Sequence, residues 1–378
     1  MKRKKKSTKQ RELARQVGQL LVIGFDGTEM SPSLSSLLTR IQPAGVILFG
    51  RNIVGAVQTY KLLKDCQDRV TTPLFTCVDL EGGRVDRFRE VFGRAPSAAD
   101  VFATGRRALF RKHGKLIGHC CRALRFNVDF APVVDLALEA SSTVMSSRAV
   151  SADPKQVAIY AREFLTGLKS IGIIGCIKHF PGLGEARLDT HEDLPSVNKP
   201  FKKLWEEDIY PYRALRRDTP MILIGHANYP QVTKDATPAS LSKKWISEVL
   251  RKKVGYRGLI VSDDLEMGGV LKAAPIEQAA EHFVRAGGDL CLICHIEEYV
   301  TRTFEHLIAE AERDSRLARR VREAAAKVAA FQRRSAALNR HPTAPRDASV
   351  DKLKRGLWEF SEEVRLAGIQ RQNMQASA

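Results

Sequence analysis

No apolar run in these 378 residues approaches the ~20 residues that a membrane-crossing helix needs, so no membrane span is expected. No G-x-G-x-x-G follows the first apolar run, which weakens any dinucleotide-binding reading. The H-x-H and H-E-x-x-H spacings that make a metal claim strong are also missing. Cysteine is sparse and odd in number, seven in all. Several sit inside apolar runs (Cys77, Cys176, Cys291 and Cys294), which excludes a disulfide framework and suits reduced, cytoplasmic thiols. Cys291 and Cys294 form a C-x-x-C, but within GGDLCLICH, a stretch that reads as a buried strand rather than a redox motif.

Acidic residues are the scarcer charge: 43 Asp and Glu stand against 61 Lys and Arg, a formal net charge of +18. The basic excess clusters at the opening MKRKKKSTKQRELARQ and in residues 313–334. A nucleic-acid stripe would need interleaved aromatics, a helix-turn-helix pattern or zinc spacing, and none accompanies the charge. The clusters therefore read as a solvated tail over 1–16 and a solvated helix face, and nucleic acid is not an expected partner. The basic start has the look of a signal-peptide n-region, yet QVGQLLVIGFDG after it is short, meets Asp26 and has no small-residue cleavage site. A cytoplasmic location follows as the expectation.

What is present is a chain that is 44% hydrophobic and 28% charged, an ordinary globular composition. Eight short, nearly wholly apolar runs recur at 17–25, 44–50, 73–81, 126–136, 173–180, 221–229, 258–265 and 287–295. Continuous rather than alternating apolarity suits strands covered on both faces, as in a parallel sheet. The segments between them carry helix signals. SADPKQVAIYAREFLTGLKSIG has a Ser/Asp/Pro start, apolar positions at helical spacing and a closing glycine. Eight β/α repeats predict a (β/α)8 TIM-type barrel, a single catalytic domain over 17–335 with a C-terminal helical extension. Residues 298–335 read as helical, 341–349 as a linker, and 350–370 as an amphipathic helix that docks through Leu353, Leu357, Trp358 and Phe360.

A barrel carries its active site at the C-terminal ends of its strands, and polar residues gather at those positions. They are Asp79, Asp135, Lys178 with His179, His226 with Asn228, Asp263 with Asp264, and His295. Three chemistries fit these residue types. A metal-assisted hydrolase would use His179, His191, His226 and Asp263. An aldolase would use Lys178 as a Schiff base, which requires a depressed lysine pKa. A glycosidase would use a carboxylate nucleophile and a separate acid/base.

The motif at 178–191, K-H-F-P-G-L-G followed by D-T-H, resembles the K-H-F-P-G-x-G…D-[ST]-H loop of the NagZ-type β-N-acetylhexosaminidases of glycoside hydrolase family 3. ILFGRN (47–52), VDLEGGRVDRF (78–88), FNVDFAPVVD (126–135), SSRAVSADP (146–154), PASLS (238–242) and VSDDLEM (261–267) resemble that family's blocks and occur in its order. The resemblance implies Asp263 as nucleophile, His191 as acid/base and Asp189 as its dyad partner. It implies that Asp79, Arg87, Arg148, Lys178 and His179 bind the hydroxyls of an N-acetylglucosamine ring. It further implies an exo-acting, retaining enzyme of peptidoglycan recycling. Its substrate would be a small carbohydrate, a muropeptide or another N-acetylglucosamine-containing oligosaccharide, handled by a monomer with no metal and no organic cofactor. Leu183 departs from the family pattern, which has histidine there, and residues 298–378 and the basic N-terminus match nothing specific in it. Another family 3 specificity such as a β-glucosidase, and a non-catalytic sugar- or nucleic-acid-binding barrel, are the alternatives.

Overall fold

The computed structural model describes residues 2–186, 194–339 and 342–376. Eight parallel strands close into a barrel: β1 (Leu21–Ile23), β2 (Gly45–Ile47), β3 (Phe75–Val78), β4 (Val128–Asp129), β5 (Ile174–Phe180), β6 (Met221–Ile224), β7 (Leu259–Asp264) and β8 (Leu290–Ile293). Each pairs with its sequence neighbours, and β1 closes the ring on β8. Apart from the rim of β7, every residue of these strands is buried, as the continuous apolar runs require. Alternate side chains divide between two cores. Val22, Cys77, Leu223, Val261 and Leu292 fill the barrel interior, while Val46, Val78, Ile222, Ile260 and Ile293 face the surrounding helices.

This alternation explains the C-x-x-C. Cys291 points into the helix layer and Cys294 into the interior, and all seven thiols are free and buried. Between β5 and β6 the register shifts between Ile177 and Phe180. Such irregularities re-aim side chains, and here the adjacent residues Lys178 and His179 both line the cavity at the barrel mouth.

Two expectations change. Of residues 1–16, read as a tail, those described (2–16) lie in the helix Lys2–Gly18. The segment has no glycine or proline before Gly18 and is rich in Lys, Arg and Gln, all good helix formers. Its end packs against helices Glu297–Arg313 and Ser315–Arg334, with Leu13 and Ala14 against the core. The C-terminal helix runs Asp347–Ala376, longer than expected at both ends. It does dock, over Arg89–Phe92, Ala98–Ala103 and Arg107–Ala123, using Leu357, Phe360, Val364 and Ala367. Trp358, placed on that face by the sequence reading, is instead 66% exposed. It follows Leu357 by one residue, about 100° further round the helix, and turns away from the barrel.

The bottom of the barrel is plugged by the end of helix Ser315–Arg334 and the short helix Ala336–Asn339. Val328 and Leu338 enter the interior core. Gln332 donates to the carbonyls of Ala44 and Pro73 at the starts of β2 and β3.

Candidate active site

At the C-terminal end of the barrel lies a cavity of about 210 Å³. Its walls come from the segment after β3, the short helical turns over 144–148, the end of β5 and the ends of β7 and β8. After β3 the chain makes a small hairpin, Leu80–Gly82 paired with Val85–Asp86, and this places Glu81 in the wall. Gly82 sits at φ +81°, and a Cβ there would stand 2.2 Å from the Pro96 carbonyl oxygen. Only glycine fits that turn.

Glu81 organises the wall. It accepts from Arg148 Nε at 2.7 Å and Nη2 at 2.8 Å, and it pairs with Lys178 Nζ at 2.7 Å. Lys178 also donates to Asp79 at 2.7 Å. Burial alone pushes the Glu81 carboxyl up, but Arg148 and Lys178 outweigh it and hold the group well below the usual carboxylate range. Lys178 is the mirror case. Burial lowers it, and Asp79 and Glu81 more than reverse that, so the ammonium is held charged. A Schiff-base lysine needs the opposite shift, so the aldolase reading fails at this residue. Beneath the wall, burial pushes Asp129 well above its ordinary value, with the Leu80 N–H and Lys178 offsetting only part of the cost.

His179 is fixed from behind. Asp135 Oδ2 lies 2.7 Å from its Nδ1 and accepts from its backbone N–H, while Oδ1 accepts from the Leu183 N–H at 2.8 Å. One buried carboxylate thus orients the imidazole and ties down the start of the loop after β5. His179 Nε2 faces Arg148 Nη2 at 3.5 Å across the cavity wall. Leu183 is buried and completes the wall on that side.

Asp263 ends β7 at the cavity floor. Burial raises its pKa, but His179, His226, the N–H of Asp264 and Lys178 together hold it below the ordinary value. The N–H of Asp264 donates to Oδ1 at 2.9 Å. Asp264 also lines the cavity and pairs with His295 Nε2 at 3.3 Å, and His295 stacks on Phe49 with ring centroids 5.1 Å apart. Phe49 also carries Arg51 and Arg87 over its ring, at 4.9 and 5.6 Å. Arg87 forms no ion pair among the described residues and its Nε is buried without a partner; Arg148, by contrast, does sit in an ion pair.

His226 does not belong to a metal set. Both ring nitrogens are engaged, Nδ1 with Ser240 Oγ at 2.8 Å and Nε2 with the Asp264 carbonyl at 2.9 Å. Among the described residues no three His, Cys, Asp or Glu stand together as ligands would. Asp189 and His191 lie outside the described residues. Of the expected site residues that are described, Asp79, Arg87, Arg148, Lys178, His179 and Asp263 all line the one cavity. Glu81 and Asp135 were not singled out as site residues. Glu81 sat in view within L-E-G-G-R, where a charged residue before two glycines marks a tight turn at a strand end. Asp135 was visible as a strand-end acid, but its partnership with His179 is a contact across 44 residues.

Parallel strands that deliver acids and bases to one concave mouth are the build of a barrel enzyme. The family is equally plain: residues 12–331 match the Glycosyl hydrolase family 3 N terminal domain, and the chain belongs to that family of glycoside hydrolases. It is 35% identical over 292 residues to a beta-hexosaminidase of Xanthomonas oryzae pv. oryzae, covering 74% of this chain and 84% of the relative. A beta-hexosaminidase of Stenotrophomonas maltophilia is 34% identical over 285 residues, with the same coverage. Among solved structures, a family 3 beta-N-acetylglucosaminidase from Paenibacillus sp. str. FPU-7 superposes with a TM-score of 0.87 at 29% identity. That match covers 93% of this chain and 68% of the other.

Proposed function

We propose that the protein is an exo-acting, retaining β-N-acetylhexosaminidase that removes a terminal, non-reducing N-acetylglucosamine. The observation that carries the reading is the ionised Asp263 carboxylate on the cavity floor, faced by a wall of charged hydrogen-bonding groups. A retaining glycosidase needs such a carboxylate beneath the anomeric carbon and a proton donor at the glycosidic oxygen. The names of the relatives support the sugar.

Asp263 attacks the anomeric carbon and forms a glycosyl-enzyme as the leaving oxygen is protonated. Water then attacks the same carbon, releasing the sugar and restoring the carboxylate. The proton is carried by His191, with Asp189 on its other nitrogen. A histidine titrates near neutrality and so gives the proton in the first step and takes one from water in the second. The wall retains donors for ring hydroxyls. Lys178 has three N–H groups and spends two on Asp79 and Glu81. Arg148 spends Nε and Nη2 on Glu81, leaving Nη1 among the described residues. His179 presents Nε2, Asp79 an acceptor oxygen, and Arg87 its guanidinium above Phe49.

The natural substrate in this reading is N-acetylglucosaminyl-1,6-anhydro-N-acetylmuramic acid or its peptide forms, released during peptidoglycan recycling. Seven unpaired, buried thiols support a reducing, cytoplasmic setting. The test is release of nitrophenol from p-nitrophenyl N-acetyl-β-glucosaminide, with the glucoside as comparison. A wild-type protein that releases none, or an Asp263→Ala protein that releases it as fast, sinks the assignment.

A further inference from the structure

A second cavity lies at the opposite end of the barrel from Asp263. About 620 Å³ in volume, it opens at the N-terminal ends of β5, β6 and β7 and is closed on one side by the end of helix Ser315–Arg334. That volume falls within the range of ordinary small-molecule sites. The N-terminal face of such a barrel does not carry the chemistry, so a ligand here is separate from the sugar site.

Its lining has two parts. The floor is apolar and includes Ile174, Leu259, Ala330 and the half-buried ring of Phe331. The rim is cationic: the side chains of Lys169, Arg217, Arg257 and Arg334 form no ion pair or hydrogen bond among the described residues, and Lys327 stands at the edge of the floor. The single lining carboxylate, Asp218, is taken by Arg162 at 3.1 Å. Burial, helped by Arg251 and Arg320, lowers Lys327 to about 8 against the pull of Asp289.

Four uncompensated cations gathered round one concavity repel each other and cost free energy in the unliganded protein. An apolar floor beneath them excludes a bare inorganic anion as the best fit. From this we infer that the cavity is a second binding site, for a nucleoside di- or triphosphate. The planar base lies on Phe331 and the aliphatic floor. The phosphates meet Arg257, Arg334, Arg217 and Lys169, of which the arginines offer the planar forks that suit phosphate oxygens.

The experiment is calorimetric titration of the full-length protein with ATP, alongside adenosine and inorganic triphosphate as the two halves of the ligand. ATP is expected to bind, with each half weaker by at least about tenfold, since both the base and the charge contribute. Arg257→Glu with Arg334→Glu should weaken ATP about a hundredfold, and Phe331→Ala about tenfold. Both rim residues are exposed and unpaired among the described residues, so the double variant should fold and cleave nitrophenyl substrate at the wild-type rate. N-acetylglucosamine should not displace ATP. The inference is overturned by absence of ATP binding, or by triphosphate alone binding as tightly as ATP. Undiminished affinity in the double variant overturns it too, since that places the anion elsewhere, and so does displacement by N-acetylglucosamine. None of these outcomes touches the sugar-cleaving reading, which is measured separately.

Discussion

Glu81 and Arg148 meet through two parallel hydrogen bonds of 2.7 and 2.8 Å, with the carboxylate buried and Lys178 on its other flank. Removing the charge of Glu81 leaves Arg148 without its partner carboxylate and Lys178 with Asp79 alone. Glu81→Gln is therefore expected to destabilise the fold by about 3–5 kcal/mol, read as a lowered urea midpoint. Arg148→Lys keeps the charge but loses the fork. Its effect should fall on sugar binding, with KM raised about tenfold and kcat changed less.

Asp263→Ala removes the carboxylate on the cavity floor and little else. Its kcat/KM on the nitrophenyl N-acetylglucosaminide should fall by at least about a thousandfold. The melting temperature should fall only modestly, because His179, His226, the Asp264 N–H and Lys178 offset the burial of that charge and hold it ionised. Stability and activity measured on one sample separate lost chemistry from lost structure.

His113 supplies a pH prediction. It is fully buried, with Nδ1 2.9 Å from the Tyr160 hydroxyl and Nε2 unpartnered, and burial pushes its pKa down to about 3. The unfolded chain takes up the proton near 6.5 and the folded one refuses it. Stability from this site is thus complete above about 6.5 and drains away as pH falls toward about 3, by up to about 1.4 kcal/mol per pH unit. Urea unfolding at a series of pH values should show that slope in the wild type and a flatter one in His113→Gln. An unchanged slope would clear His113 of the effect.

Asp289 is buried beneath β8 and faces Arg251, Arg320 and Lys327, with Oδ2 accepting the Ile260 N–H at 2.9 Å. It joins β7, β8 and the helix Ser315–Arg334. Asp289→Asn strands three cations and should cost about 3–5 kcal/mol, measured by denaturant titration, while KM for the nitrophenyl substrate stays near the wild-type value.

The barrel was legible in the sequence because a parallel strand covered on both faces leaves an unbroken apolar run, and eight such runs recur at β/α spacing. The strand-end rule then led directly to Asp79, Lys178, His179 and Asp263. What escaped was whatever depends on distance through space. Glu81 reads as one charge in a turn until Arg148, 67 residues later, arrives beside it. Trp358 looks as apolar as Leu357, and only the direction of the helix relative to its neighbours decides which of the two is covered. The helical state of residues 2–18 was missed because the run of lysines and arginines was read as charge alone, when the same side chains are also good helix formers.

Phe360 of the C-terminal helix packs on the ring of His113, with centroids 5.8 Å apart. The Nε2 edge of that ring lies near Gly82, the residue after Glu81, where an added Cβ would stand 3.2 Å from it. The family match ends at residue 331, so this helix lies beyond the matched residues while packing on the ring that neighbours the turn carrying Glu81. A change on the protein's flank can then reach the cavity wall through Phe360 and His113. When such barrels are compared, differences in KM that the pocket residues fail to account for have a second place to be sought.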